Sequence, residues 1–321
     1  MLNKIKINKT IEPFNKILEI EGDKSLSIRW VLLASQARGI SKSLNLLKSE
    51  DVISTINCLR KLGVTIKLKK KICEIHGLGL NGYKYKKSIT LDAGNSGTLA
   101  RLIMGLLVHA KGKIKITGDK SLSRRDFYRV TLPLKKFGAK FKTNSGGLPI
   151  IINGTDLPKS IKYIETKGSA QCKSAVMLAA LNTKGETIIK AKKSRNHSEL
   201  LFKHLKLGIK VIPKNNIDII KVNGKKKIKS FNYSIPSDIS SGAFFIVLTA
   251  LSKNSKLKIK NVNVNPSRIG IIKILKLMGV KINFKNTRTY KGEKIADLLV
   301  ESTKFLKPIN CPTKLNSSAI D

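Results

Sequence analysis

The chain has 321 residues, with 63 Lys and Arg against 20 Asp and Glu, which gives a formal net charge of +43. Its length is that of about two domains, and an apolar fraction of 41% excludes disorder as a description of the whole chain. The longest apolar stretch, residues 243–251, is half of a membrane span, and MLNKIKINKT lacks the apolar core of a signal peptide. Four widely spaced cysteines without a CxxC pair argue against a zinc site or a disulfide scaffold. We therefore expect a soluble, cytoplasmic protein with no membrane partner.

The basic excess is mostly lysine. Only ten of the 63 cations are arginine, and aromatic residues make up 5% of the chain. A nucleic-acid-binding protein is expected to use arginine for bidentate contacts and aromatic rings for stacking on bases. We interpret the dispersed lysines as a solvated face, expect no nucleic-acid partner, and take the few arginines as candidates for binding acidic molecules.

A repeat of 70–75 residues organises the sequence. Four segments each show the end of an amphipathic helix, then a glycine, then a strand of alternating apolar residues. Their glycines, which suit the left-handed position after a helix, are Gly63, Gly138, Gly208 and Gly279. An earlier helix, rich in small and polar residues in its first turn, opens each unit at residues 23–37, 94–107, 169–181 and 237–251. The pattern predicts β-α-β-α-β-β units of about 70 residues.

The helix starts of these units predict an anion site. The N-terminus of a helix carries partial positive charge and free amides, so several such termini around a pseudo-symmetry axis could converge on one cleft. The alternative for each single helix is that the small polar residues are ordinary N-caps.

Two further motifs are interpreted as structural. GxGxxG at residues 77–82 is followed by a strand pattern instead of a helix, so we reject a dinucleotide site and expect a hairpin turn. The four histidines have no metal-ligand spacing, and no metal site is expected. In SRNHSEL, Asn196 and Glu199 have capping-box spacing, which makes His197 a helix-start residue.

Cations beside hydroxyls, amides and glycines mark the loop-to-helix transitions. Ser25 and Arg29 lie on one helical face at i, i+4, next to Lys24. The segment DAGNSGTLAR repeats this arrangement around Gly97, where a glycine lets backbone amides approach a ligand. Four of the ten arginines fall in such motifs: Arg29, Arg101, Arg125 and Arg195.

Six motifs occur along the chain in the order GDKSLSIR, DAGNSGTLAR, ITGDKSLSRR, GSAQCKSAVMLAAL, SRNHSE and PSDISSGAFF. With these motifs the whole chain resembles the EPSP synthase (3-phosphoshikimate 1-carboxyvinyltransferase) family of enolpyruvyl transferases. The resemblance implies an α/β (α+β) fold of two domains, each of three β-α-β-α-β-β units. By this resemblance residues 1–19 supply the first strand of a discontinuous domain, residues 20–229 form a complete three-unit domain, and residues 230–321 form part of the discontinuous domain.

The resemblance implies transfer of the enolpyruvyl group from phosphoenolpyruvate to the 5-hydroxyl of shikimate 3-phosphate, in aromatic amino acid biosynthesis, without metal or organic cofactor, by a monomer. The residues that it assigns to shikimate 3-phosphate are Lys24, Ser25, Arg29, Ser169, Ala170, Gln171, Arg195 and Asp321. The residues that it assigns to phosphoenolpyruvate are Lys24, Asn95, Gly97, Arg101, Arg125 and Gln171. Lys24 and Asp321 are the implied catalytic residues, with Asp321 as the base that takes the 5-hydroxyl proton.

The sequence departs from the family pattern at several positions. Asp126 stands where a proline is common, Ala170 replaces a serine of many members, and Ser237 stands where a glycine is usual. LNSSAID at residues 315–321 has the pattern of a fifth helix start, which suggests a fragment of a longer protein. By resemblance, a catalytic glutamate, two arginines and a lysine lie beyond residue 321, so we expect residues 1–321 alone not to turn over.

Two alternatives remain open at this point. UDP-N-acetylglucosamine enolpyruvyl transferases have Lys-Asn where this chain has Lys24 and Ser25, and a loop cysteine that GDKSLSRR lacks. A basic RNA-binding protein is the second alternative, since a related repeat fold occurs in RNA 3′-terminal phosphate cyclases.

Overall fold

The computed structural model describes residues 10–70 and 72–319. Their contacts divide the chain into two compact units. The larger unit comprises residues 21–236 with 291–293, and the smaller unit contains the described residues up to 20, then 237–290 and those from 294 onward. Each unit is described here by itself.

The elements follow the predicted repeat. The first strand and the first repeat contain β1 (Asn15–Leu18), α1 (Lys24–Ser35), β2 (Ala37–Leu44), α2 (Glu50–Lys61), β3 (Thr65–Leu68) and β4 (Ile72–Leu78). The second repeat contains β5 (Ser88–Asp92), α3 (Gly97–Leu106), β6 (Lys113–Thr117), α4 (Lys120–Ser123), α5 (Tyr128–Lys135), β7 (Lys140–Asn144) and β8 (Gly147–Asn153). The third contains β9 (Lys162–Glu165), α6 (Ala170–Leu181), β10 (Glu186–Lys192), α7 (His197–His204), β11 (Ile209–Pro213) and β12 (Ile217–Asn223).

The remaining elements complete the described chain. Two short strands, β13 (Ile228–Lys229) and β14 (Tyr233–Ser234), precede the fourth repeat. That repeat contains α8 (Ile239–Leu251), β15 (Lys256–Asn263), α9 (Gly270–Leu277), β16 (Lys281–Tyr290) and β17 (Glu293–Glu301), and α10 (Asn316–Ala319) follows it. None of the described helices has the length and apolar character needed to cross a membrane.

The four sheets formed by the described residues share one strand order. In each, two parallel strands are extended by an antiparallel pair, as in β5-β6-β8-β7 and β9-β10-β12-β11. The fourth repeat takes its opening strand from β1, which pairs parallel to β15, and the first repeat takes its own from β13 and β14, which pair parallel to β2. The predicted β-α-β-α-β-β repeat is confirmed, with the opening strands of the first and fourth repeats exchanged along the chain.

Three apolar helices form the centre of the larger unit. α1 is buried from Leu26 to Ser35, and α6 is buried from Cys172 to Leu181. α3 packs extensively against α6 and is buried over almost its whole length. A helix that is apolar on all sides must be enclosed by protein, which explains why these three opening helices lack a charged face. The first two turns of these helices hold most of the residues that the sequence assigns to substrates.

The repeated glycines adopt the predicted left-handed backbone. Their φ angles are +87° at Gly63, +108° at Gly138, +65° at Gly208 and +96° at Gly279. Gly63 and Gly279 follow the C-cap residue directly, as the sequence predicts. Gly138 and Gly208 lie further on, because α5 ends at Lys135 and α7 ends at His204. In the third repeat Lys206 also has a positive φ, of 55°, so the chain turns before it reaches the glycine.

The GxGxxG segment does not form a hairpin. β4 ends at Leu78, and the next strand, β5, belongs to a different sheet. The segment is therefore a connection between two repeats. An added Cβ at Gly77 would lie 2.2 Å from the Ala37 carbonyl oxygen, which explains the glycine by close packing. No helix follows it, so the rejection of a dinucleotide fingerprint holds.

We predict that one cysteine, Cys311, reacts rapidly with a thiol reagent in the native protein. Cys58, Cys73 and Cys172 are buried, whereas Cys311 is exposed. Burial raises the pKa of the Cys58 and Cys73 thiols to about 12, so both are protonated at pH 8, and the thiolate is the reactive form. A titration with Ellman's reagent should show one fast thiol in the native protein and four after denaturation. Two or more fast thiols in the native protein would contradict the prediction.

Candidate anion-binding site

The opening helix of each repeat starts with a side-chain cap. In each case the residue before the helix accepts a hydrogen bond from a backbone amide in the first turn. The pairs are Asp23 with Leu26, Ser96 with Leu99, Ser169 with Cys172 and Asp238 with Ser240. Ordinary capping is therefore present at all four helix starts, and any anion binding has to come from the groups around these caps.

Arg101 connects the starts of α3 and α6 in the larger unit. Its Nη1 donates to the Gln171 Oε1 atom at 3.0 Å and to the Gly97 carbonyl at 3.2 Å. The Gln171 amide in turn donates to the Thr98 hydroxyl at 2.9 Å. The guanidinium also lies 5.0 Å from the centre of the Phe127 ring, close enough for a cation–π contact. The two helix starts are thus joined by a hydrogen-bonded chain that ends on a cation.

Burial makes this cation electrostatically strong. Arg101 is 8% exposed, and burial lowers the pKa of its guanidinium from the ordinary value. The nearby Arg129 and Arg125 lower it further. An arginine keeps its charge even so, because its ordinary pKa lies far above neutral pH. A cluster of partly desolvated like charges favours the binding of an anion, which relieves their mutual repulsion.

Arg125 lies on the exposed side of the same cluster. Its Nη2 donates to the Asn95 Oδ1 atom at 3.3 Å, and the Asn95 amide donates to Asp119. Hydrogen bonds from the Leu122 amide and from Asn95 lower the pKa of Asp119, which therefore stays ionised. Asp126, which departs from the family pattern, accepts a hydrogen bond from the Tyr128 amide at 2.8 Å. This carboxylate is therefore engaged at the start of α5.

A second cluster surrounds Arg29 on α1. Its Nε donates to the Ser198 hydroxyl at 2.8 Å, and its Nη2 donates to the Ser174 hydroxyl at 3.3 Å. Its Nη1 donates to the Ser25 backbone carbonyl, one turn earlier on α1, at 3.0 Å. Gln171 and Ser174 lie three residues apart on α6 and therefore on one face. One face of α6 contacts both arginines.

The remaining predicted residues lie around these clusters in the larger unit. Lys24 begins α1, is half exposed and lies 3.4 Å from Asp51. Ser169 and Ala170 form the start of α6, and Arg195 lies half-buried just before α7. Asp321 falls outside the described residues.

Ser237, another departure from the family pattern, has a structural role in the smaller unit. Its hydroxyl donates to the Ile20 carbonyl at 2.9 Å and to the Lys260 carbonyl at 3.0 Å. The side chain is 4% exposed, and a glycine at this position would leave both carbonyl contacts unmade.

The capping box predicted from Asn196 and Glu199 is wrong. α7 does begin at His197, but no side-chain capping bond is formed at Asn196. The Glu199 carboxylate instead lies 2.6 Å from the Lys173 ammonium group, and both side chains are buried. An ion pair inside the protein competes successfully with a local cap, because an uncompensated buried lysine would be very costly.

Several residues of these clusters were not predicted. Ser174 and Ser198 hold Arg29, and Phe127 lies against Arg101. A serine within a helix gives no local sign of a long-range contact. Lys173 could have been noticed, since it is a charged residue within the apolar segment of α6 and such a residue requires a buried partner.

We expect Gly97→Ala to weaken the binding of a small phosphorylated anion at the Arg101 cluster about tenfold while the protein stays folded. An added Cβ would lie 2.7 Å from Arg101 Nη1 and 3.0 Å from Arg125 Nη1. The ends of these side chains can move, so the clash displaces the guanidinium groups instead of the backbone, at a loss of about one charged hydrogen bond. Calorimetric titration would measure the binding. Gly242→Ala is the control, because its added Cβ would meet only side-chain atoms at 3.4 Å or more. Gly105→Ala is unsuitable, because its added Cβ would clash with the Ala175 carbonyl. Wild-type affinity in Gly97→Ala would contradict the prediction.

The repeated β-α-β-α-β-β units and the arginines at their helix starts define a protein with the enolpyruvyl-transferase fold. The family model for EPSP synthase (3-phosphoshikimate 1-carboxyvinyltransferase) matches residues 8–313. The 3-phosphoshikimate 1-carboxyvinyltransferase of Ruthia magnifica subsp. Calyptogena magnifica is 42% identical over 316 residues, which are 97% of this chain and 71% of that protein. The corresponding protein of Bacillus subtilis (strain 168) is 38% identical over 291 residues, covering 90% of this chain and 67% of that protein.

A solved structure agrees with these sequence relatives. EPSP synthase from Acinetobacter baumannii superimposes with a TM-score of 0.85 at 35% identity, over 95% of this chain and 68% of that one. The chain belongs to the EPSP synthase family. It is a transferase by family, and the predicted fold class is confirmed.

Proposed function

We propose that the chain binds shikimate 3-phosphate and phosphoenolpyruvate for the reaction of its family, the transfer of the enolpyruvyl group to the 5-hydroxyl of shikimate 3-phosphate, which gives 5-enolpyruvylshikimate 3-phosphate and phosphate. Family membership supports this function. The observation that carries it in the geometry is the contact of one face of α6 with both arginine clusters, through Gln171 to Arg101 and through Ser174 to Arg29. Two anionic substrates that react with each other need two cationic sites side by side.

The division of residues between the substrates follows the two clusters. Shikimate 3-phosphate is assigned the Arg29 cluster and the start of α6, that is, Lys24, Ser25, Arg29, Ser169, Ala170, Gln171 and Arg195. Phosphoenolpyruvate is assigned the Arg101 cluster, that is, Lys24, Asn95, Gly97, Arg101, Arg125 and Gln171. Gln171 suits both roles because it lies between the clusters and already bonds Arg101.

The chemistry requires a proton acceptor and stabilisation of charge. The 5-hydroxyl oxygen bonds to C2 of phosphoenolpyruvate as C3 gains a proton, which gives a tetrahedral ketal. Loss of a C3 proton and of phosphate then restores the double bond. The arginines hold the phosphate and carboxylate groups in place throughout, and such preorganised cations act most strongly where water is excluded. Asp321 is proposed as the base for the 5-hydroxyl, and Lys24 as the cation that contacts both substrates.

Further proposals concern the setting of this reaction. We propose that the protein acts in the cytoplasm as a monomer, without a nucleic-acid partner. We also propose the domain division drawn from the sequence, with residues 1–19 and 230–321 forming one domain and residues 20–229 the other. Family membership does not favour either alternative function, the UDP-N-acetylglucosamine transferase or the RNA-binding protein.

Calorimetric titration with shikimate 3-phosphate tests the proposed function. We expect saturable binding of one equivalent, and much weaker binding of shikimate, which lacks the phosphate that Arg29 would hold. A single-stranded RNA of mixed sequence is the control ligand, whose binding should be weak and should fall steeply with salt. Absence of shikimate 3-phosphate binding would overturn the proposal, and tight RNA binding would then favour the RNA-binding alternative.

A further inference from the structure

Two neighbouring polar contacts join α6 and α7 in the buried part of the larger unit. The hydroxyl oxygens of Ser174 and Ser198 lie 2.6 Å apart and share one hydrogen bond. One residue along each helix, Lys173 Nζ lies 2.6 Å from Glu199 Oε1. The ion pair is more deeply buried than any other lysine–carboxylate pair of the described chain, with Lys173 fully enclosed. The Lys173–Glu199 ion pair therefore keeps Ser174 and Ser198 opposite each other.

The residue on the other side of Ser198 is also anchored. His197 Nδ1 lies 2.7 Å from Glu293 Oε1, and both side chains are almost completely buried. Three consecutive residues at the start of α7 thus each hold a buried polar partner. A backbone held on both sides of Ser198 leaves its hydroxyl little freedom to move.

Arg29 depends on this hydroxyl for its orientation. Nε is the atom that sets the plane of the guanidinium group, and it donates to Ser198 at 2.8 Å, the shortest of its three named contacts. The Ser174 hydroxyl supports the same orientation of the guanidinium group, since it contacts both Ser198 and Arg29. The planar fork of an arginine recognises a phosphate only in the correct orientation.

We propose that Ser198 is a positioning residue for the binding of shikimate 3-phosphate, which acts by fixing the plane of the Arg29 guanidinium group. The Lys173–Glu199 and His197–Glu293 pairs hold Ser198 in place for this role. The inference rests on the proposed function, which assigns the phosphate of this substrate to Arg29.

Calorimetric titration of Ser198→Ala with shikimate 3-phosphate and with shikimate tests the inference. Loss of one hydrogen bond to a charged group should weaken shikimate 3-phosphate binding about tenfold. Shikimate has no phosphate, so its dissociation constant should stay within twofold of that of the wild type. General loosening of the fold would weaken both ligands together, so the ratio of the two constants separates positioning from a structural role.

Two further variants sharpen the result. Ser198→Thr keeps a hydroxyl and should retain most of the affinity for shikimate 3-phosphate. Ser174→Ala keeps the hydrogen bond between Ser198 and Arg29 and should weaken shikimate 3-phosphate binding by only about threefold. Ser35→Ala is the matched control, because it removes a buried α1 hydroxyl that bonds the Leu32 carbonyl and Tyr83, with no arginine involved. It should leave both ligands unaffected.

The outcomes distinguish the inference from the proposed function. If the wild type binds shikimate 3-phosphate and Ser198→Ala binds it equally well, the inference is overturned and the proposed function stands. If the wild type does not bind shikimate 3-phosphate, both fall. A tenfold loss in Ser198→Ala, restored by threonine and absent with shikimate, supports the inference.

Discussion

Replacement of Lys173 by methionine is expected to lower the free energy of unfolding by about 3–5 kcal/mol. Lys173 is fully buried, and its partner Glu199 is 5% exposed. Methionine removes the positive charge and leaves the Glu199 carboxylate in a site that water does not reach. The second carboxylate oxygen, Oε2, is already buried without a hydrogen-bond partner among the described residues, so the uncompensated anion has little other support.

Urea denaturation followed by tryptophan fluorescence measures this loss. The chain has one tryptophan, Trp30, which is buried in α1 and reports on the larger unit. The double variant Lys173→Met/Glu199→Leu removes both charges and should recover most of the stability, because a well-packed apolar pair can replace a buried ion pair.

Lys221→Met is the matched control for this experiment. Lys221 pairs with Glu186 at 3.1 Å, but about a third of each side chain is exposed, and such surface pairs contribute about 0–1 kcal/mol. A loss of less than 1 kcal/mol in Lys173→Met would contradict the prediction, as would a double variant that is no more stable than the single one.

Arg101→Lys is expected to weaken phosphoenolpyruvate binding about 100-fold, although the positive charge is kept. Arg101 bonds Gly97 and Gln171 through one nitrogen and lies against the Phe127 ring. A lysine ammonium group lacks the planar fork that makes such contacts and holds a carboxylate or phosphate at the same time. The variant would also lose the hydrogen bond from Arg101 Nη1 to Gln171 on α6.

Titration of phosphoenolpyruvate in the presence of saturating shikimate 3-phosphate measures the effect. The affinity for shikimate 3-phosphate alone should change by less than threefold, because Arg29 and the hydroxyls that hold it are untouched and Gln171 keeps its hydrogen bond to Thr98. Arg38→Lys, at an exposed position of β2, is the control and should bind both ligands as the wild type does. A phosphoenolpyruvate affinity within threefold of the wild type in Arg101→Lys would exclude the proposed role.

The repeat and its opening helices could be predicted from the sequence. Their signs are local, namely apolar periodicity, small residues in the first turn and a glycine after the second helix. The placement of Ser25 and Arg29 on one face of α1 has the same local origin, since residues four apart on a helix lie one above the other. The glycine rule was less reliable for α5 and α7, because these helices end before the glycine is reached.

The long-range polar contacts could not be predicted. Glu293 is 96 residues from His197, and Arg29 is 169 residues from Ser198. The pattern within one segment does not indicate which distant segment will supply the partner of a buried polar side chain. The misassigned Glu199 shows the cost of a local rule, since its spacing from Asn196 fits a capping box while its carboxylate belongs to a lysine on another helix.

The exchange of opening strands has a consequence for how the chain acquires its structure during synthesis. The second and third repeats take all their strands from their own segments of about 70 residues. Each of these sheets can therefore form once its own segment has been made. The first repeat must wait for β13 and β14, about 190 residues after the part of β2 that they join, and β1 must wait 241 residues for β15. Contacts so distant in sequence form slowly. β1 and the first repeat are therefore completed late, and their unpaired strands stay exposed while the residues between are made.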